Sequence, residues 1–155
     1  MIAVIQRVKK AACVADGQPA GSCGAGLFVL CGVLPGDTET DAEVLARKIA
    51  KLRIFSDENG KMNRSVTDVC GGALVVSNFT LGADVSHGNR PSFTGAAQPH
   101  VAKPLYERFC DLLAESGVPT GRGVFGADMQ IDLAADGPVT ILMDSRIWNK
   151  HDSEH

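Results

Sequence analysis

Apolar and polar side chains alternate from the start of the chain: Ile2 and Val4 lead into Gln6–Arg7–Val8, and Val14 follows. Asp16–Gly17 then supplies a two-residue hairpin turn, so residues 1–35 read as a β-meander. The run Gly24 to Val33 (GAGLFVLCGV) is apolar almost throughout and predicts a central strand, stopped by Pro35–Gly36–Asp37. The period then changes. Leu45, Ile49 and Leu52 share one helical face and predict a helix over Asp41–Leu52, capped by Thr38, or by Thr40 with Glu43 as a capping box. RIFSDENGKMN reads as a short strand and an Asn59–Gly60 turn, and Ala73 to Thr80 as the next strand. From Leu81 to Pro99 glycine, serine, asparagine and proline recur without a period, which predicts a long ordered loop of the kind that carries function. A second helix is predicted over His100–Glu115 on the spacing of Leu105, Phe109 and Leu112. Pro104 has no N–H to donate, so this helix is expected to start late or bend there, and Gly117 ends it. Residues 123–134 and 138–144 predict two strands around Asp136–Gly137–Pro138.

Strand runs interrupted by two helices, without regular βαβ alternation, predict an α+β fold. The expected form is a single domain over residues 1–145, a mostly antiparallel, barrel-like sheet with two helices packed outside. Residues 146–155 are predicted to be a polar, frayed tail.

Composition narrows the function classes. With 155 residues, 45% hydrophobic and 21% charged, the chain is long enough for one core without covalent staples. No apolar run approaches the roughly 18 residues needed to cross a membrane. The N-terminal MIAVIQRVKK lacks the apolar core of a signal peptide, so a cytoplasmic protein is expected. Five cysteines without a CxxC pair argue against a disulfide framework and against a zinc site built from them. Cys31 and Cys110 fall at apolar-facing positions and read as core. A net charge of −3 argues against tight, sequence-blind coating of nucleic acid, although a local cluster can still hold a few phosphates of an RNA substrate.

The common catalytic signatures are missing: there is no GxSxG, HExxH, P-loop or GxGxxG. His87 stands in the long loop with no orienting partner, and Asp84, Asp128 and Asp144 read as turn, cap or surface residues. Neither a metal nor a cofactor is expected. What stands out instead is VVSNFTL, Val75 to Leu81, a strand that begins apolar and ends in Ser77, Asn78 and Thr80 around Phe79. One reading is a strand end satisfying its last backbone groups. The other is a set of backbone and side-chain donors able to stabilise a developing oxyanion. NRPSFT (Asn89 to Thr94) and DGPVT (Asp136 to Thr140) add two polar motifs around proline. Gly137–Pro138 is a tight turn at least; as a cis peptide it would aim neighbouring carbonyls in similar directions, suited to gripping an ammonium group.

These motifs carry a resemblance. AVIQRV, GDTETDAEVLARKIAKLRIF, GKMN, VVSNFTL, NRPSFTGAA, FGADM and DGPVTILMDS occur in the order and spacing of the D-aminoacyl-tRNA deacylases (the D-tyrosyl-tRNA deacylase family), over the chain up to Ser145. The family's S-Q-x-T-L motif falls on Ser77 to Leu81, with Asn78 where the family usually has Gln. Its N-x-P-x-x-T motif falls on Asn89, Pro91 and Thr94, and its Gly-cis-Pro pair on Gly137–Pro138. The resemblance implies a homodimer without cofactor, acting on the 3′-terminal adenosine end and acceptor stem of aminoacylated tRNA. It implies catalysis at Ser77, Asn78, Phe79 and Thr80. The carbonyls of Gly137–Pro138, braced by Arg7, would reach into the other subunit's pocket, hold the substrate's α-ammonium and collide with an L side chain. Glycine would escape that collision. Phe125 and Met129, in FGADM, would help hold the adenosine, with Phe125 stacking on the base. No residue is evident to activate Thr80 as a nucleophile, so the Phe79–Thr80 backbone is expected to orient the ester while the tRNA's 2′-OH assists water. Two rivals remain: a non-catalytic RNA-binding relative, and a small-molecule esterase using Thr80.

Overall fold

The computed structural model describes residues 1–149. Strand β1 (Ile2–Ala15) turns at Asp16–Gly17, both with positive φ as a two-residue hairpin of this hand requires, into β2 (Gln18–Cys23). Strand β3 (Gly26–Gly32) leads to helix α1 (Glu39–Ala50). A small hairpin of β4 (Phe55–Ser56) and β5 (Met62–Arg64) follows, then β6 (Gly72–Ser77). A 3₁₀ turn at Phe79–Gly82 opens the long loop. Helix α2 (Pro99–Glu115), β7 (Thr120–Arg122) and β8 (Met129–Asp144) complete the order, and a second 3₁₀ turn spans Ser145–Ile147.

The main sheet runs β2-β1-β3-β6-β7, with β8 along the other edge of β1. It is mixed. β1 is antiparallel to β2, β3 and β8, whereas β3–β6 and β6–β7 are parallel. Each parallel pair is joined through a helix, α1 for the first and α2 for the second, because parallel strands need a long crossover. The expected meander is therefore corrected: β3 pairs with the first half of β1, and β2 with its second half. β2 also crosses β7 so closely that a Cβ on Gly21 would lie 2.5 Å from the Arg122 backbone, and this crossing nearly closes the barrel.

Two apolar clusters follow from strand alternation. Leu27, Val29, Cys31, Ala73 and Val75 face Leu45 and Ile49 of α1 and Tyr106, Phe109 and Leu113 of α2. Phe28, Leu74 and Val76 point the other way, against Val8, Ala11 and Cys13. Because β3 and β6 are covered on both faces, they read as continuous apolar runs.

Several boundaries differ from the sequence reading. α1 starts at Glu39 behind an N-cap at Thr38, whose N–H donates to Asp41 Oδ2 at 2.9 Å, so the reciprocal carboxylate is Asp41 and not Glu43. α2 starts at Pro99 and continues through Pro104, and its buried face is Ala102, Tyr106, Phe109, Cys110 and Leu113, with Leu105 and Leu112 only partly covered. Pro99 at the first helical position has no N–H that the helix needs, which sets the early start. The two strands expected on either side of Gly137–Pro138 are one strand, β8. Its register against β1 jumps from Thr140 opposite Gln6 to Ala135 opposite Val8, so Asp136 to Val139 bulge out opposite Arg7. The expected tail partly packs: Lys48 Nζ lies 5.3 Å from the Trp148 ring centroid and Asn149 Nδ2 donates to Asp41. Residues 150–155, also expected to be frayed, lie outside the described residues.

Candidate active site

Strand β6 ends at Ser77 and not at Thr80, because the backbone turns there. Asn78 N still donates to Cys31 O of β3 at 2.8 Å, the last sheet-like contact. From Asn78 the chain folds into the 3₁₀ turn, with Leu81 N on Asn78 O at 3.4 Å. Gly32 makes room for this turn: a Cβ there would lie 2.9 Å from Leu81 Cβ and 3.1 Å from Asn78 O. A side chain at position 32 would push the turn off the end of β3.

The Asn78 carboxamide caps the turn. Its Oδ1 accepts from Thr80 N at 3.2 Å and, more closely, from the Thr80 hydroxyl. The Thr80 N–H, expected to be a free donor, is thus engaged. Among the described residues, Phe79 N–H donates to no acceptor, as the first N–H of a helical turn often does not. Ser77 and Asn78 are half-buried, whereas Phe79 and Thr80 are exposed.

Ser77, Asn78 and Phe79 open onto a cavity of about 620 Å³ at the C-terminal ends of the parallel strands β3 and β6, whereas the exposed Thr80 lies outside its lining; open parallel sheets commonly bind ligands at this end. Ser77, Asn78 and Phe79 line one side, with Phe125 from the β7–β8 connection and Met129 at the start of β8 in the same wall. Leu30, Val76 and Ile131 form an apolar floor. Residues that sequence reasoning missed complete it: Val33, Phe93, Gln98 and Tyr106. Tyr106 was legible only as a polar tip on an apolar helix; its hydroxyl donates to Val75 O at 2.8 Å, and burial pushes its pKa up. Phe93 meets Phe79 edge to face, with ring centroids 5.1 Å apart. The loop that carries Phe93 is pinned by backbone bonds between Asp84 and Ser92 and by the approach of Gly82 to Gly95, where a Cβ on Gly82 would lie 2.7 Å from Gly95 O.

Not every expected residue reaches this cavity. Asn89, Pro91 and Thr94 are exposed in the loop, where the Thr94 hydroxyl lies 3.2 Å from Ser92 Oγ. His87 is exposed at the loop tip, outside the cavity lining. Arg7, Gly137 and Pro138 form a separate feature on the bulge of β8. The Gly137–Pro138 peptide is cis, and both residues are exposed. Arg7, largely buried, donates from Nε to Asp136 O at 3.1 Å and from Nη1 to Ile54 O at 2.7 Å. The carboxylates read as turn and cap residues hold those places: Asp84 accepts from Ser86 N, and Asp144 accepts from Arg146 N. Among the described residues, no three His, Cys, Asp or Glu side chains are grouped to hold a metal ion.

A nearly closed mixed barrel with two outer helices, and a polar strand end over an apolar cavity, places the chain among small α+β proteins with a site built from backbone turns. Residues 4–144 match the family model described as D-Tyr-tRNA(Tyr) deacylase, and the chain belongs to that family. It is 56% identical over 144 residues to a protein of Deinococcus radiodurans named D-aminoacyl-tRNA deacylase, covering 93% of this chain and 99% of that one. It is 52% identical to a protein of the same name from Roseiflexus castenholzii, over 100% of this chain and 99% of that one. Among solved structures it is similar to one titled c-Myc DNA Unwinding Element Binding Protein. That match has a TM-score of 0.86 and 38% identity, and covers 93% of this chain and 98% of that one. A probable eukaryotic D-amino acid tRNA deacylase, at 17% identity and a TM-score of 0.79 over 92% of this chain and 97% of that one, shares the fold.

Proposed function

We propose that the protein hydrolyses the ester bond of D-aminoacyl-tRNA, releasing the D-amino acid and the tRNA, and spares L-aminoacyl-tRNA. The observation that carries this reading is the corner at Ser77 to Thr80, where the unspent Phe79 N–H stands beside a cavity sized for an adenosine and its ester. In this reading the ester carbonyl accepts from Phe79 N–H, between Ser77 on one side and Thr80 on the other. Phe125 stacks on the terminal adenine and Met129 packs beside it, a contact on the order of 1–3 kcal/mol. The loop with Asn89, Pro91 and Thr94 frames the aminoacyl side of the site, and the acceptor stem lies outside the cavity.

The site is completed in a homodimer. The partner subunit's Gly137 and Pro138 present carbonyls that accept from the α-ammonium and occupy the space an L side chain would need. Arg7 braces that turn through Asp136 O. The D side chain points outward, and glycine has none to reject, so glycyl-tRNA is also a substrate. Discrimination comes from exclusion and not from recognising the side chain. In this reading the protein works in the cytoplasm, on charged tRNA.

Among the described residues, the Thr80 hydroxyl donates to the Asn78 amide oxygen and to no base. The terminal ribose 2′-OH, held beside the ester, assists the attacking water, while Phe79 N–H stabilises the oxyanion, worth on the order of 10²–10³ in rate per donor. Deacylation of D-, L- and glycyl-tRNA tests the reading. The first and third should be hydrolysed and the second spared; hydrolysis of the L substrate at the D rate would overturn it. A D-aminoacyl ester on the 3′-OH of a 2′-deoxyadenosine end should be cleaved far more slowly, and Thr80→Ala should lose activity only in part. Equal rates on the two ends, with complete loss in Thr80→Ala, would make Thr80 the nucleophile.

A further inference from the structure

The Asn78–Thr80 contact has a chemical direction. A backbone N–H can only donate, so the Asn78 atom facing Thr80 N at 3.2 Å is the carbonyl oxygen. That same oxygen accepts the Thr80 hydroxyl proton. Two donors of Thr80 are therefore spent on one neutral acceptor, and an amide oxygen is far too weak a base to take the proton away. The lone pairs of Thr80 Oγ stay free on an exposed residue that directly follows Phe79 of the cavity wall. Asn78 is itself held at both ends, by its N–H on Cys31 O and by its C=O under Leu81 N, so its side chain has a fixed base from which to reach Thr80.

We infer that Asn78 is a positioning residue whose carboxamide clasps Thr80, removing its N–H and hydroxyl proton as donors and presenting Thr80 Oγ to the site as a hydrogen-bond acceptor. The inference rests on the functional reading above and adds the task of Thr80 within it. An acceptor at that place orients the hydroxyl of the attacking water or of the ribose beside the ester, and Phe79 N–H remains as the donor of the turn. The clasp suits a side chain of Asn length. An Asn or Asp caps the N–H two residues on through a compact ring, whereas Gln, one methylene longer, is not a favoured cap.

Two measurements on the full chain test this, one of them independent of substrate. Amide hydrogen exchange should show Thr80 N–H protected in the wild type, still protected in Asn78→Asp, and exposed in Asn78→Gln and Asn78→Ala. Equal protection in wild type and Asn78→Gln would remove the clasp. In deacylation of D-aminoacyl-tRNA, Asn78→Gln and Thr80→Val should each lower kcat about tenfold with little change in KM, and the double variant should be no worse than either, because both remove one coupled unit. Losses that multiply to about a hundredfold, or a change confined to KM, would show that Asn78 acts on the substrate by itself. A wild type inactive on D-aminoacyl-tRNA but with Thr80 N–H protected would overturn the functional reading and uphold the clasp.

Discussion

Asp41 shows how much one carboxylate can tie together. It is 6% exposed and accepts from Thr38 N at 2.9 Å, Ser145 Oγ at 2.7 Å and Asn149 Nδ2 at 3.1 Å, linking the cap of α1 to the end of β8. Burial alone would raise its pKa, but the hydrogen bonds from Thr38, Ser145 and Asn149 outweigh it and hold the carboxyl below the ordinary aspartate value. A depressed folded-state pKa contributes stability that is present above the unfolded value, near ~3.9, and is lost as pH falls through the folded value. Asp41→Asn should therefore lower stability at pH 7 by about 1–3 kcal/mol, the range for weakening buried hydrogen bonds to a charged group. Denaturant titrations should show that gap narrowing as pH drops below about 4. An equal gap at pH 7 and pH 3 would refute the assignment. Cys110 makes the opposite case: burial pushes its thiol up to about 11, while Cys70 lies exposed. Alkylation at pH 8 followed by peptide mapping should mark Cys70 in the native protein and Cys110 only after unfolding.

At the scale of elements, α2 runs from Pro99 past the Pro104 that was expected to delay or bend it. Pro104 lies inside the helix and removes one i→i−4 bond, yet Tyr106, Phe109, Cys110 and Leu113 are buried on the same side, and their packing outweighs the lost bond. The exposed Pro104 side chain contributes little burial in return. Pro104→Ala should stabilise the protein by about 1 kcal/mol after allowing for the looser unfolded chain, a rise of roughly 2–4 °C in Tm by calorimetry. A fall in Tm would mean that the proline supports the helix entry. β8 gives the converse lesson. It was read as two strands, over residues 123–134 and 138–144, because Asp136–Gly137–Pro138 looks like a turn, and it does turn, but as a bulge within one strand whose pairing with β1 resumes on both sides.

For the whole molecule, the cavity and the Gly137–Pro138 bulge are separate features of one chain, and the proposed function joins them across a dimer. Light scattering at micromolar concentration should therefore report a dimer, and a fully active monomer would remove the shared site. Complementation is sharper. Gly137→Val places a side chain at φ +130, where a Cβ would lie 2.8 Å from Val139 N, and should spoil the turn. Phe79→Pro removes the N–H proposed for the ester. Each variant alone should be inactive, and mixed after unfolding and refolding they should recover about a quarter of wild-type activity, since half the dimers are mixed and carry one intact site of two. No recovery, with mixed dimers confirmed by mass spectrometry, would place both features at the same subunit's site.

Local chemistry was enough to read the two helices, the Asp16–Gly17 hairpin, the buried strands β3 and β6 and the polar end at Ser77 to Thr80, because period, turn residues and side-chain type act over a few positions. The ordered motifs likewise carried the family, to which residues 4–144 belong. Pairing was beyond that reach. That β3 and β6 lie parallel, that β2 crosses β7, and that Phe93, Gln98 and Tyr106 meet Phe79 and Phe125 around one cavity depend on contacts between segments distant in the chain. The face that α2 buries was settled the same way, by the sheet it meets, which turned Tyr106 and Cys110 inward and left Leu105 at the margin. The Thr80 N–H shows the difference at a single atom: its sequence offers a free donor, and the fold of the turn spends it on Asn78.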